Sequence, residues 1–176
     1  HRTGNEISKI DKVKEKTFGA IISINPVSNL DLGFSFHNIT YNNQLMKKDI
    51  FDPEDDTFNF YSVSYSYPFG NFRLSGESAY NSVSVATLNH LEWIITDRLQ
   101  FITSVRNYPR NFYSLNGSGF GESSNTQNEF GIYNGIRWRS DFGILNFYFD
   151  QFRFPYQSFY SPLPSKGNEF MLDFKT

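Results

Sequence analysis

The chain has no cysteine and only two methionines among its 176 residues. The absence of cysteine excludes disulfides and thiolate metal sites. The sequence also has no large excess of either charge, with 16 Lys and Arg residues against 18 Asp and Glu residues. It therefore has neither the basic patch typical of nucleic-acid binding nor an acidic tail. No run approaches the roughly 18 apolar residues of a transmembrane helix, so the sequence predicts none.

Aromatic residues are abundant instead. Twenty Phe, eleven Tyr and two Trp residues together make up 19% of the chain. Aromatic side chains favour β-strands, and they also gather at membrane interfaces. The mean hydropathy of −0.48 is compatible with a membrane barrel, because such a barrel alternates lipid-facing apolar residues with polar residues of the lumen.

Alternation of apolar and polar residues predicts strands of roughly ten residues, the length that a tilted strand needs to cross a bilayer. We predict an all-β, antiparallel meander of about 8–10 strands, a partial or complete outer-membrane β-barrel. Residues 1–16 are expected to form a short irregular or helical lead-in, with a helical turn at 5–13, and 17–176 the barrel segment of a longer chain. The predicted strands are 17–25, 30–41, 58–67, 71–80, 85–95, 99–108, 129–139, 144–152 and 168–176.

The connections alternate in length. Short turns are predicted at 26–29, 68–71, 96–98 and 140–143, and the links between them at 42–57, 81–84, 109–128 and 155–167. Three of these four links are long and polar. This alternation is typical of outer-membrane barrels, in which short turns are periplasmic and long loops extracellular.

Charged residues fall on the strand face opposite the aromatic one. In the membrane interpretation the aromatic face contacts lipid, and the charges form a network in the lumen. A soluble sheet would turn the two faces the other way, and the alternation alone does not decide between the two. The candidate lumen network comprises Arg73, Glu77, Glu92, Arg106, Arg137, Arg139 and Asp150.

No motif predicts catalysis, a cofactor or a metal. The glycine-rich stretch 117–123 lacks the lysine of a phosphate-binding P-loop, and the acidic stretch 52–56 lacks the EF-hand pattern. His1, His37 and His90 are too far apart for metal-ligand spacing, and no Ser–His–acid set is visible by spacing. We therefore predict a protein that is not an enzyme.

Two long links mix aromatic residues with turn formers, a composition suited to stacking and hydrogen bonding with a ligand. The alternative is that these rings fold back over the barrel mouth as a plug, or form an interfacial girdle. The candidate ligand-loop residues are Tyr108, Phe112, Tyr113, Phe120, Tyr156, Phe159 and Tyr160.

Residues 1–20, 106–135 and 149–171 resemble the barrel region of the large helix-hairpin-helix domain-containing proteins of Bacteroidota. In that family a helical module near the N-terminus precedes a long outer-membrane-type β region. The resemblance implies the same barrel fold but no reaction and no catalytic residue. The helix-hairpin-helix module itself is not found in these residues, so the resemblance transfers no nucleic-acid role to them.

Together these patterns predict a non-enzymatic segment of a bacterial outer-membrane β-barrel, acting in transport as a pore or as an assembly scaffold. Its expected partner is the lipid bilayer, with no nucleic acid bound through these residues. The alternative is a soluble or surface β-sheet domain that binds a glycan or protein through its aromatic loops. The two hypotheses differ in where the aromatic face points.

Overall fold

A computed structural model describes residues 13–46, 50–123, 126–157 and 161–176. The helical turn predicted at 5–13 lies, except for its last residue, outside them. The strand after it begins at Glu15, two residues earlier than predicted. Among the described residues there is no helix with the length and apolar character needed to cross a membrane.

The predicted antiparallel meander is confirmed. The described strands form one sheet in the order of the sequence, and each pairs antiparallel with its sequence neighbours. The strands are β1 (Glu15–Val27), β2 (Leu30–Tyr41), β3 (Thr57–Phe69), β4 (Phe72–Tyr80), β5 (Val85–Thr96), β6 (Leu99–Tyr108), β7 (Glu129–Ser140), β8 (Gly143–Phe154) and β9 (Ser165–Lys175).

The turns and loops separate to the two ends of the sheet. Two-residue turns at 28–29, 70–71, 97–98 and 141–142 close one end. Links 42–56, 81–84, 109–128 and 155–164 occupy the other, which we call the long-loop end. Gly70 has a φ of 55°, a left-handed conformation that glycine adopts at no steric cost.

The strand register sorts the side chains onto two faces, as predicted. Trp93 of β5, for example, lies opposite Phe72 of β4 and Phe101 of β6. We call this side the aromatic face and the other the charged face. The register places on the aromatic face Tyr61, Val63, Tyr65, Phe72, Leu74, Leu91, Trp93, Phe101, Val105, Ile132, Ile136, Phe147 and Phe149.

The sheet is open, because β1 pairs only with β2 and β9 only with β8. Both edge strands are exposed. The Phe18 side chain of β1 is 66% exposed and the Phe170 side chain of β9 is 75% exposed.

The buried apolar residues of the described chain lie on the charged face or in the link above it. Ile39, Phe58, Ala86 and Tyr108 project from strands on that side, and Phe112 belongs to link 109–128. The core therefore forms between the charged face and a folded loop, while the aromatic face stays uncovered.

Candidate functional site: a loop sealed onto a buried ionic triad

Three charged side chains from adjacent strands form a buried ionic triad. The Nε of Arg106 on β6 lies 2.5 Å from Oε1 of Glu129 at the start of β7. The Nη1 of Arg106 lies 3.0 Å from the carboxylate of Asp150 on β8. The three side chains are 0%, 1% and 3% exposed. A buried charge is tolerated only when it is paired, so the triad holds its three strands in one register.

A glycine makes room for the arginine. Gly131 lies directly opposite Arg106 in the β6–β7 pairing. A Cβ at Gly131 would come within 2.3 Å of the guanidinium carbon and 2.6 Å of Nε and Nη2. The guanidinium therefore lies flat against the backbone of β7.

Glu129 also anchors the link 109–128 to the charged face. Its carboxylate accepts hydrogen bonds of 3.1 Å from the backbone N–H groups of Glu122 and Ser123. A Cβ at Gly121 would meet that carboxylate at 2.9 Å. Because Arg106 binds the same carboxylate, the loop is tied to the ionic triad itself.

Phe120 closes the loop over the triad. Its ring centroid lies 5.2 Å from the guanidinium carbon of Arg106 and packs edge-on against Tyr133, at 5.3 Å between centroids. Tyr108 donates a hydrogen bond of 2.8 Å to the carbonyl oxygen of Phe120. A cation over a ring face is attracted by the ring's quadrupole, which adds to the contact.

The first half of the loop is fixed on the other side of the charged face. The Phe112 ring is buried against Ala86 and Tyr108. Tyr113 packs edge-on against Phe58 and Phe60 of β3, at 5.8 and 5.9 Å between centroids. Burial, followed by the nearby Asp55 carboxylate, raises the pKa of the Tyr113 hydroxyl above its usual value. The loop thus reaches from β3 to β7.

The long loops meet one another at this end. Phe51, in the link between β2 and β3, lies 5.6 Å from Tyr156, in the link between β8 and β9. Arg110 stacks over the same Phe51 ring at 5.1 Å. In a flat sheet, β3 and β8 would stand about 24 Å apart at a strand spacing of about 4.8 Å. The links that flank β3 and β8 therefore reach across the long-loop end of the sheet, where loop 109–128 packs on the charged face.

No known protein-family model matches this chain, and no curated protein matches it significantly.

Only part of the predicted lumen network is joined by ion pairs. Arg73 meets Glu92 at 3.4 Å, and Arg106 meets Asp150. The register also puts Glu77, Arg137 and Arg139 on the charged face. None of these three forms an ion pair with another described residue.

The prediction missed Glu129 as the centre of the triad. Strand alternation places it on the charged face, but alternation carries no information about a loop that folds back to it. Its one signal in the sequence is a carboxylate at the junction of a long glycine-rich link and a strand.

The candidate ligand-loop rings have three different positions. Tyr108 and Phe112 are buried, and Tyr113 is half-buried. Phe120 and Tyr156 stay 44% and 51% exposed. Phe159 and Tyr160 lie outside the described residues.

The His90–Ser104 pair and the ionic triad are two polar clusters of this face that can be compared with known catalytic arrangements. The Nδ1 of His90 lies 2.6 Å from the Oγ of Ser104, but Ser104 is buried beneath its neighbours, and no described carboxylate hydrogen-bonds to His90. Within the described ranges, no group of three or more His, Asp or Glu side chains could hold a metal ion. The triad pairs its one cation with two carboxylates, an arrangement suited to fixing a structure.

Proposed function

We propose that this chain is a non-enzymatic segment of a bacterial outer-membrane β-barrel, acting in transport as a pore or as an assembly scaffold. The observation that carries the proposal is the distribution of charge between the two faces. The charged face of the sheet holds a buried ionic network and a folded loop. The opposite side is aromatic, aliphatic and uncovered.

The aromatic face is almost free of charge. Across the nine described strands, the register gives it three charged side chains, Lys16, Arg153 and Lys166, and all three lie near the long-loop end. An Arg or Lys at the midplane of a lipid face costs about 2–4 kcal/mol, and this cost falls to about 0–1 kcal/mol near the interface. A lipid-facing surface would show this placement.

The aromatic face also stays exposed where a soluble protein would cover it. A monomeric soluble protein rarely exposes a contiguous apolar patch larger than a few hundred Å². Here exposed large hydrophobic residues recur on adjacent strands from β1 to β9. Examples are Phe18, Ile22, Phe34, Tyr61, Val63, Trp93, Ile136, Trp138, Phe147, Phe170 and Leu172.

Aromatic stacking at the turn end supports the same proposal. Tyr67, Phe69, Phe72 and Trp93 form a continuous stack, with centroids 5.5 to 5.6 Å apart. Phe69 and Phe72 flank the two-residue turn at 70–71, and Tyr67 lies two residues before Phe69 on β3. Aromatic girdles occur where a barrel meets the membrane interface.

Loop 109–128 gives the proposed barrel a plug. Outer-membrane barrels are either open channels or are filled by loops, and this loop is tied to the wall by Glu129. We propose that it sets how much of the lumen is open. Kinship with the helix-hairpin-helix proteins of Bacteroidota stays a proposal that rests on residues 1–20, 106–135 and 149–171.

The two tryptophans provide the test, because Trp93 and Trp138 both lie on the aromatic face. The full chain is refolded into phosphatidylcholine vesicles with either ordinary or brominated acyl chains. If the aromatic face contacts lipid, brominated chains quench the tryptophan fluorescence and aqueous iodide does not.

The matched control moves the fluorophore to the charged face. In the variant W93F/W138F/Y133W the remaining indole replaces Tyr133, opposite Ser104 on the charged side. Its emission should be insensitive to brominated chains. Quenching of wild-type protein by iodide alone would favour the soluble β-sheet alternative and refute the membrane proposal.

A further inference from the structure

Two of the three cations on the aromatic face stand together on neighbouring strands. Arg153 of β8 and Lys166 of β9 are direct partners in the strand register. Both side chains are exposed, and neither forms an ion pair with another described residue. The Arg153 guanidinium carbon lies 4.9 Å above the Phe130 ring, which holds the guanidinium against the sheet.

The residues around this pair are layered along the strands. Next to it, towards the middle of the sheet, Gln151 lies opposite Asn168. Two residues further, Phe149 lies opposite Phe170. From the long-loop end inwards the surface therefore changes from cations to amides to phenyl rings. A bilayer changes in the same order, from phosphate to glycerol and ester groups to acyl chains.

We propose, on the basis of the membrane function above, that Arg153, Lys166, Gln151 and Asn168 bind the phosphate of an anionic lipid headgroup. The guanidinium donates two parallel hydrogen bonds to phosphate oxygens, and the lysine supplies a point charge. The two amides donate to the headgroup and ester oxygens below. Within the described strands, the register puts no carboxylate on this face to compete for the cations.

The measurement is the selectivity for spin-labelled lipids of the full chain in phosphatidylcholine vesicles. Electron paramagnetic resonance reports the fraction of labelled lipid held at the protein surface, for labelled phosphatidylglycerol and for labelled phosphatidylcholine. Wild-type protein should select the anionic lipid. A cation near an anionic membrane surface contributes about five-fold in affinity, which is about 1 kcal/mol. R153Q/K166Q should therefore lose about 25-fold at this site.

The matched control is R98Q/K175Q, which removes one arginine and one lysine at the turn end. It has the same net charge as the test variant and should keep the selectivity. Equal loss in both variants would assign the effect to net charge and overturn the proposal, as would absence of selectivity in wild type. A chain that fails to enter phosphatidylcholine vesicles would refute the proposed function and this site with it. A chain that enters without selecting the anionic lipid would refute the site alone.

Discussion

Replacing Gly131 by alanine tests whether the ionic triad holds the fold. In a strand interior, glycine is destabilising by about 0.5–1 kcal/mol relative to alanine, so the substitution would ordinarily stabilise the protein. Here the new methyl group would meet the Arg106 guanidinium carbon at 2.3 Å. That group is fully buried and held by two carboxylates, so it has no free space into which to move.

The size of the effect follows from the two opposing terms. Overpacking a dense interior costs about 1–3 kcal/mol, and loss of one partner from a buried ion pair costs about 3–5 kcal/mol. Displacement of the guanidinium also weakens its ion pairs, which adds part of the free energy that complete loss of a partner would cost. Against the small gain from replacing glycine, we expect G131A to lower the free energy of unfolding by about 2–4 kcal/mol.

Gly33 provides the matched control, because it is also a strand glycine on the charged face. A Cβ there would meet the Ser64 hydroxyl oxygen at 2.5 Å, and this hydroxyl can rotate away. G33A should change stability by less than about 1 kcal/mol. Urea unfolding of the full chain, followed by tryptophan emission in the lipid or detergent in which it folds, compares the two. Equal stabilities of G131A and G33A would refute the assignment of the triad as a structural centre.

Three further predictions concern loop 109–128. The Glu129 carboxylate accepts hydrogen bonds from the Glu122 and Ser123 N–H groups and forms an ion pair with Arg106. E129Q should therefore release residues 117–123 and speed their amide hydrogen exchange, whereas the control E77Q on the same face should not. Unchanged exchange in E129Q would contradict the role of Glu129 as the anchor. Burial, followed by the nearby Glu169 and Asp150 carboxylates, raises the pKa of Glu122 in the folded protein above its ordinary value of 4.5. The protonated Glu122 side chain therefore stabilises the fold below pH 4.5, and this stabilisation is lost as the pH rises through the raised pKa of the folded state. E122Q should reduce the fall in unfolding free energy between pH 4.5 and neutral pH. The same fall in E122Q and in wild type would contradict this role of Glu122. Deletion of 111–126 should leave the β6–β7 register intact, since Arg106 and Glu129 remain, and should raise single-channel conductance in planar bilayers; a conductance equal to that of wild type would show that the loop does not obstruct the lumen.

The strands and their faces could be predicted because a period of two fixes which side each residue takes, and a slip of one residue would bury the wrong set. The strand ends were harder. Pro26 suggested a turn at 26–29, but it lies within β1, at the irregularity between Ile24 and Val27. Proline is tolerated there because β1 is an edge strand and the missing N–H breaks no pairing.

A second strand boundary also differs from the prediction. The last link was predicted to run to 167, yet β9 begins at Ser165 and includes Gly167. A Cβ at Gly167 would meet the Phe152 ring at 2.5 Å. The glycine lets a ring from the neighbouring strand lie across the backbone, a packing role that one sequence does not reveal.

The site was less predictable than the fold. Alternation placed Arg106 and Asp150 on one face, but their meeting with Glu129 depends on the stagger between three strands. The return of loop 109–128 depends on backbone N–H groups, which every non-proline residue carries and no pattern marks.

The meander has a consequence for the order in which the chain assembles. Its four two-residue turns define four local hairpins, β1–β2, β3–β4, β5–β6 and β7–β8, each able to form within microseconds. Joining the hairpins requires closing links of very different length, from four residues at 81–84 to 20 residues at 109–128. The longer closure costs about 1.4 kcal/mol more entropy. We expect β6 and β7 to join late, and the ionic triad to complete this slow step, because its three charges find their partners only when β6, β7 and β8 are aligned.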